Sequence, residues 1–206
     1  MSNAHSPSPQ RRPPQRQRGH ARVDALLKSA AEVFLDKGYD AATMTDIAAS
    51  AGASIGSLYQ FFPTKPALAL ALLQSYTEAL YAQMDTLARR SADVGVDELA
   101  TQLIGALVNF RRRYPAFTTL VDSVSLAPAI EGLNIRRQMR HHLRALLTQR
   151  APNLDEGRLE AAVVAVLQLM KAAVAIQAET GLRGRMAALG ELRYMLRLYL
   201  RELFGA

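Results

Sequence analysis

The sequence predicts an all-α fold for its 206 residues on three observations. Apolar residues recur at spacings of three and four, the period of one helix face. Alternating β-branched runs of the kind that make strands do not occur. Short breaks bearing Gly or Pro separate the periodic stretches, as between packed helices. Half the residues are hydrophobic, enough for a sizeable core without covalent staples. No cysteine is present, which excludes disulfides, thiolate metal sites, cysteine nucleophiles and thiol redox sensing, and is compatible with a reducing cytoplasm.

Residues 1–20 are rich in Pro, Ser, Gln and Arg and have no apolar period, so they are expected to form a disordered tail. They lack the apolar run of a secretory signal, and Pro13 and Pro14 oppose an amphipathic transit helix. The first 22 residues carry five arginines and no acid, whereas residues 23–92 carry five basic against seven acidic side chains. Such a tail is either a solvated segment or an arm that follows DNA.

From Arg22 to Lys37 a stripe of Val23, Leu26, Leu27, Ala30, Val33 and Phe34 predicts the first helix, ended by Gly38 in the position of a left-handed cap. Thr43 and Asp46 then form a capped helix start, placing a second helix from about Met44. Ala48 is the small residue needed where two helices cross, and Gly52, four positions on, tolerates positive φ in the turn between them. Ile47, Ala51, Leu58 and Phe61 or Phe62 fall where that crossing must be packed. Ser54 can cap the third helix, whose first two turns then carry Ile55, Gly56, Ser57, Tyr59 and Gln60. These are largely small or polar where a core helix would be apolar, and the leading turns of such a helix are the ones that meet base edges.

Thr64 caps a long helix through Leu68, Leu72, Leu73, Tyr76, Leu80 and Met84 to near Arg90, with Pro66 acceptable in its first turn. Beyond a linker at Ser91–Val96, Leu99, Leu103, Leu107 and Phe110 mark a helix to Tyr114, stopped by Pro115. Phe117–Leu126 is a short apolar segment, and past Pro128 one helix should carry Ile130, Leu133, Met139, Leu143 and Leu146 to about Arg150. Asn153 and Glu156 repeat the capping pattern before a helix to Thr180, and Gly181 precedes a last helix with Leu189, Leu192, Leu196, Tyr199 and Leu203 on one face. Between Ala161 and Ile176 only Gln168 and Lys171 are polar, so this helix must be covered on more than one side. The run of about 16 residues is short for a membrane span, which leaves a subunit interface or the centre of a large monomeric bundle.

Taken from Thr43 through Ser57-Leu58-Tyr59 to Phe62-Pro63-Thr64-Lys65 and the apolar helix that follows, the chain resembles the DNA-binding domain of the TetR family of transcriptional regulators over about 50 residues. Where most of that family has an acidic residue, this chain has Pro66. The resemblance implies a helix-turn-helix DNA-binding domain of three helices at residues 21–66, joined by the long helix to a helical ligand-binding and dimerisation domain at 67–206. It also implies a cytoplasmic homodimer, paired through the last two helices, that binds double-stranded DNA at a near-palindromic operator, acts as a repressor and answers to a small-molecule effector. Thr43, Ser57, Tyr59 and Lys65 match positions expected to contact the DNA backbone; Thr45, Ile55, Gly56 and Gln60 are candidates for base edges, with Ser54 beside them. Leu103, Leu107, Phe110, Phe117, Met139, His142 and Met170 are candidate pocket residues, although any helical bundle needs such side chains in its core.

Enzyme chemistry finds little footing. His141 and His142 are adjacent, point about 100° apart on a helix and cannot chelate one metal together. Neither a phosphate loop nor a dinucleotide glycine fingerprint occurs, and Gly181-Leu182-Arg183-Gly184 suits a turn between helices. Arg111, Arg112 and Arg113 spread over too many faces for one anion fork and read as a solvated helix end. No cofactor and no metal are expected. The rival classes are an all-α binding or adaptor module without DNA, and an all-α enzyme using the pocket.

Overall fold

The computed structural model describes residues 15–205, and the tail expected at residues 1–20 lies outside it as far as Pro14. Every regular element among the described residues is helical: α1 Gln15–Ala41, α2 Met44–Ser50, α3 Ile55–Phe61, α4 Lys65–Arg90, α5 Val96–Arg113, α6 Ala116–Val121, α7 Ala127–Glu131 behind a 3-10 turn, α8 Ile135–Arg150, α9 Glu156–Ala178 and α10 Arg185–Phe204. The first helix thus begins inside the expected tail. Gln15 to Arg18 are long unbranched residues that favour helix and prolong it beyond its apolar stripe.

Gly38 breaks α1 with φ 77° and ψ 162°. The positive φ matches the expectation, but the ψ corrects the left-handed cap: this region is open essentially to glycine alone. A further turn, Tyr39–Ala41, then leads to α2. One long helix expected after Pro128 is two. Pro128 sits in the first turn of α7, and Gly132 to Asn134, with Asn134 left-handed at φ 49°, separate it from α8. The cap of α9 is Asp155, which accepts from the Arg158 N–H at 2.9 Å, and not Asn153.

α1, α2 and α3 close around Leu26, Ala30, Phe34, Ile47 and Leu58, with Leu68 and Ala69 of α4 completing the cluster. Burying a side chain such as Phe34 fully contributes roughly 1.5–3 kcal/mol. α4 runs for 26 residues, about 39 Å at 1.5 Å per residue, and continues from this body into the second one, where it packs on α5, α6, α7 and α8. α6 packs on both α1 and α4, so the two bodies touch at a second place besides the shared helix. Arg150 at the end of α8 donates to the carbonyls of Ser91 and Val94 and fastens the turn between α4 and α5.

α9 is 23 residues long, close to the helix expected up to Thr180, and by length and composition alone it could cross a membrane. Its position is that of a bundle helix: Leu159, Val163, Val166, Leu167 and Met170 are buried where it packs on α5, α8 and α10. Its other side, with Ala161, Gln168, Lys171 and Ala175, is exposed, and α10 exposes Tyr194, Met195 and Leu198.

Candidate nucleic-acid interface

The candidate interface is built on α2 and α3. Thr43 has extended backbone, and its hydroxyl accepts from the Asp46 N–H at 3.1 Å while Asp46 Oδ2 accepts from the Thr43 N–H at 3.2 Å. That reciprocal cap fixes the start of α2. The Thr43 hydroxyl also donates to Asp46 Oδ2 at 2.8 Å. Its one proton is directed at that carboxylate here. Lys37 Nζ lies 2.9 Å from Asp46 Oδ1, and this pair with the Thr43 bonds holds the Asp46 carboxyl below its ordinary range.

In the turn, Gly52 has φ 56° and the Ala53 N–H returns to the Ala48 carbonyl at 2.9 Å. Ala48 is buried at the crossing, where a larger side chain would push the two helices apart. Ser54 caps α3 by accepting from the Ser57 N–H at 3.2 Å. Of the alternatives at the far end of α3, Phe62 packs into the core and Phe61 stays on the open face, 39% exposed. Leu58 anchors α3 from below at 0% exposure, and truncation there should cost about 2–5 kcal/mol.

With Leu58 down, the outward side of α3 presents Ile55, Gly56, Tyr59, Gln60 and Phe61, with Ser57 half-buried. Thr45 is exposed on α2, and Ser54 and Gly52 are exposed beside the turn. Two apolar side chains, Ile55 and Phe61, lie open to water here although the helix has a core side to use. Phe61 is the contact candidate that sequence pattern missed, because either of two adjacent phenylalanines could have faced the core.

Lys65, expected at a DNA phosphate, is engaged elsewhere. Its Nζ donates to the carbonyls of Tyr39, Asp40 and Ala42 at 2.9, 3.0 and 2.9 Å and sits 4.7 Å from the centre of the Tyr39 ring. An ammonium has three protons, and all three are directed at these carbonyls here. Burial, then the neighbouring Asp40 charge, pushes the Tyr39 hydroxyl pKa up.

Most of the candidate pocket residues are packed in the core. Leu103, Phe110, Phe117, Met139 and Met170 belong to the continuous core and Leu107 is half-buried against it. His142 stacks on Tyr81 with ring centres 4.9 Å apart and places Nδ1 2.7 Å from Asp85 Oδ1, joining α8 to α4. An open recess of about 430 Å³ between α4 and α5 is lined by Ala79, Gln83, Asn109, Phe110, Arg113 and Tyr114, and so includes one of the seven, Phe110. The Tyr76 and Tyr114 rings lie tilted against each other nearby, with centres 4.5 Å apart, and burial, with Tyr114 beside it, pushes the Tyr76 hydroxyl up to about 12. Among the described residues no group of His, Asp and Glu side chains could hold a metal ion.

Comparison with known proteins covers both bodies. The family model described as bacterial regulatory proteins, tetR family, matches residues 26–72, and that described as tetracyclin repressor-like, C-terminal domain, matches residues 96–200. The chain is 44% identical over 68 residues to the HTH-type transcriptional activator FasR of Mycolicibacterium smegmatis, covering 33% of this chain and 31% of that one. It is 41% identical over 61 residues to the HTH-type transcriptional repressor KstR2 of the same organism, covering 30% of each. These matches span about a third of the length of the curated relatives. The solved structure of the regulator PfmR from Thermus thermophilus superposes with a TM-score of 0.61 at 23% identity, over 84% of this chain and 97% of that one. That of FadR from Bacillus subtilis, in complex with stearoyl-CoA, does so with 0.65 at 15% identity, over 84% and 96%. At these identities the likeness is one of fold.

Proposed function

The chain belongs to the TetR family of bacterial regulatory proteins, and from that footing we propose that it is a homodimeric, ligand-responsive repressor working in the cytoplasm on a near-palindromic operator. Residues 21–66 form the reader and residues 67–206 the body that pairs the chains and holds the effector. One α3 per subunit enters each of two successive major grooves, Ile55, Gly56, Gln60 and Thr45 lying toward base edges and Ser57 and Tyr59 toward the sugar-phosphate backbone. The observation that carries this reading is the outward side of α3. It is held by a capped start and a fully buried Leu58, yet it turns Ile55, Tyr59, Gln60 and Phe61 to solvent.

Dimerisation is supported by the outward side of α10, where Tyr194, Met195 and Leu198 are each nearly half exposed next to the small residues of α9. An effector acts if it binds better to one tilt of α4 than another, because that helix is common to both bodies and α6 touches α1 as well. We take the effector to be a mostly apolar small molecule. The stearoyl-CoA of the FadR structure is one such chemistry, and Arg136, Arg137 and Arg140, exposed on α8, would suit a phosphate-bearing head group.

Selection of bound sequences from a random duplex pool tests the reading. Enrichment of an inverted repeat with half-sites about one helical turn apart is expected. Failure to bind any duplex at low salt would instead favour an adaptor module that uses the C-terminal body without DNA.

A further inference from the structure

The carbonyls that hold Lys65 mark a joint. Tyr39, Asp40 and Ala42 form the turn after the Gly38 break, where carbonyls at the end of a helix lack partners of their own. Ala42 immediately precedes Thr43, the cap of α2, and Lys65 is the first residue of α4. One ammonium therefore bonds the start of α4 to the start of the helix-turn-helix, across 23 to 26 residues of sequence. Apolar contacts hold the same helices together through Leu68, Phe34 and Ile47, but hydrophobic attraction is non-directional and tolerates rolling and sliding. Three hydrogen bonds converging on one nitrogen do not. The Tyr39 ring under the ammonium and the Lys37–Asp46 pair beyond it extend the same fastening into α1 and α2.

We propose that Lys65 is a positioning residue: it sets the angle of α2 and α3 to α4 and so transmits movement of α4 to the recognition surface. This rests on the DNA-reading assignment above for its consequence, but the joint itself can be tested without DNA. The chain has no cysteine, so spin labels on Ala49→Cys and Ser75→Cys, both exposed, report the distance between α2 and α4 in the full chain diluted with unlabelled protein.

Lys65→Met keeps the apolar stem and removes the donors. Lys65→Arg keeps the charge and replaces a compact tripod by a planar fork. Both variants are expected to keep wild-type helicity by circular dichroism and to broaden the label distance distribution. Both should bind the duplex recovered by selection at least tenfold more weakly, with affinity for random-sequence duplex and its salt slope unchanged. The proposal is overturned if the distribution stays narrow in the variants, or if Arg restores wild-type binding. It is equally overturned if Lys65→Met lowers the salt slope by about 0.9 per subunit, the signature of a lost phosphate contact. Should selection recover no duplex, the DNA assignment fails while the distance measurement still decides the joint. If the Met variant does not fold, the Arg variant decides it.

Discussion

Asp46 Oδ1 lies 2.9 Å from Lys37 Nζ while its other oxygen accepts from both the N–H and the hydroxyl of Thr43. One carboxylate thereby ties the end of α1 to the capped start of α2, and the stability of the reader becomes dependent on its ionisation.

The folded state lowers the Asp46 pKa, so the unfolded chain binds the proton more readily. The contribution is fully present above the ordinary carboxylate pKa, about 3.9, and is lost as pH falls through the lower folded value. Asp46→Asn should melt below wild type at neutral pH, and the gap should close only in acid below about pH 4. Melting curves at several pH values check this, and a gap that stays constant into acid would refute it. Thr43→Ala, which removes the capping hydroxyl, should cost about 1 kcal/mol.

Gly52 and Gly56 should respond oppositely to alanine. Gly52 has φ 56°, and a side chain there costs about 1–2 kcal/mol through left-handed strain. Gly56 has no positive φ, and nothing lies within 4 Å of the point an alanine Cβ would occupy, so Gly56→Ala should stabilise α3 by up to about 1 kcal/mol. If Gly56 faces a base edge, the same variant binds selected DNA more weakly while melting higher. Unchanged affinity would remove Gly56 from the interface.

Gln60 and Tyr59 are both exposed on α3 and should separate by role. Gln60→Ala should relax preference at one base pair, by roughly 1–3 kcal/mol. Tyr59→Phe should weaken all sequences alike, since a lost backbone hydrogen bond carries no base information. Binding to a panel of single-substituted duplexes distinguishes them, and identical profiles for the two variants would count against both assignments.

Met195 and Leu198 are 47% and 45% exposed on α10. If they meet a second copy, Met195→Glu and Leu198→Glu place charges in the contact and should yield a monomer with unchanged helicity and much weaker operator binding. Sedimentation velocity reads the mass directly. Wild-type protein that sediments as a monomer would exclude the dimer.

Local signals were legible in the residues alone. The Thr43–Asp46 cap, the Ser54 and Thr64 caps and the Gly52 turn all involve partners within a few residues, and the helix geometry brings such partners together wherever the helix lies. The break at Gly132 to Asn134 was hidden by apolar residues that kept a helical period across it, and Asp155 displaced Asn153 as cap because both types suit the position. The choice between Phe61 and Phe62 needed the direction of α3 on its core.

By itself the sequence determined the all-helical class and the capped, turn-linked helices of the helix-turn-helix, because periodicity and capping are short-range properties of the chain. Tertiary structure decided that Lys65 faces the carbonyls of Tyr39, Asp40 and Ala42, that α6 packs on α1, and that the expected pocket residues are mostly shared core. These depend on the crossing of helices far apart in sequence. A side chain's chemistry states what it can donate, while the packing around it selects the partner.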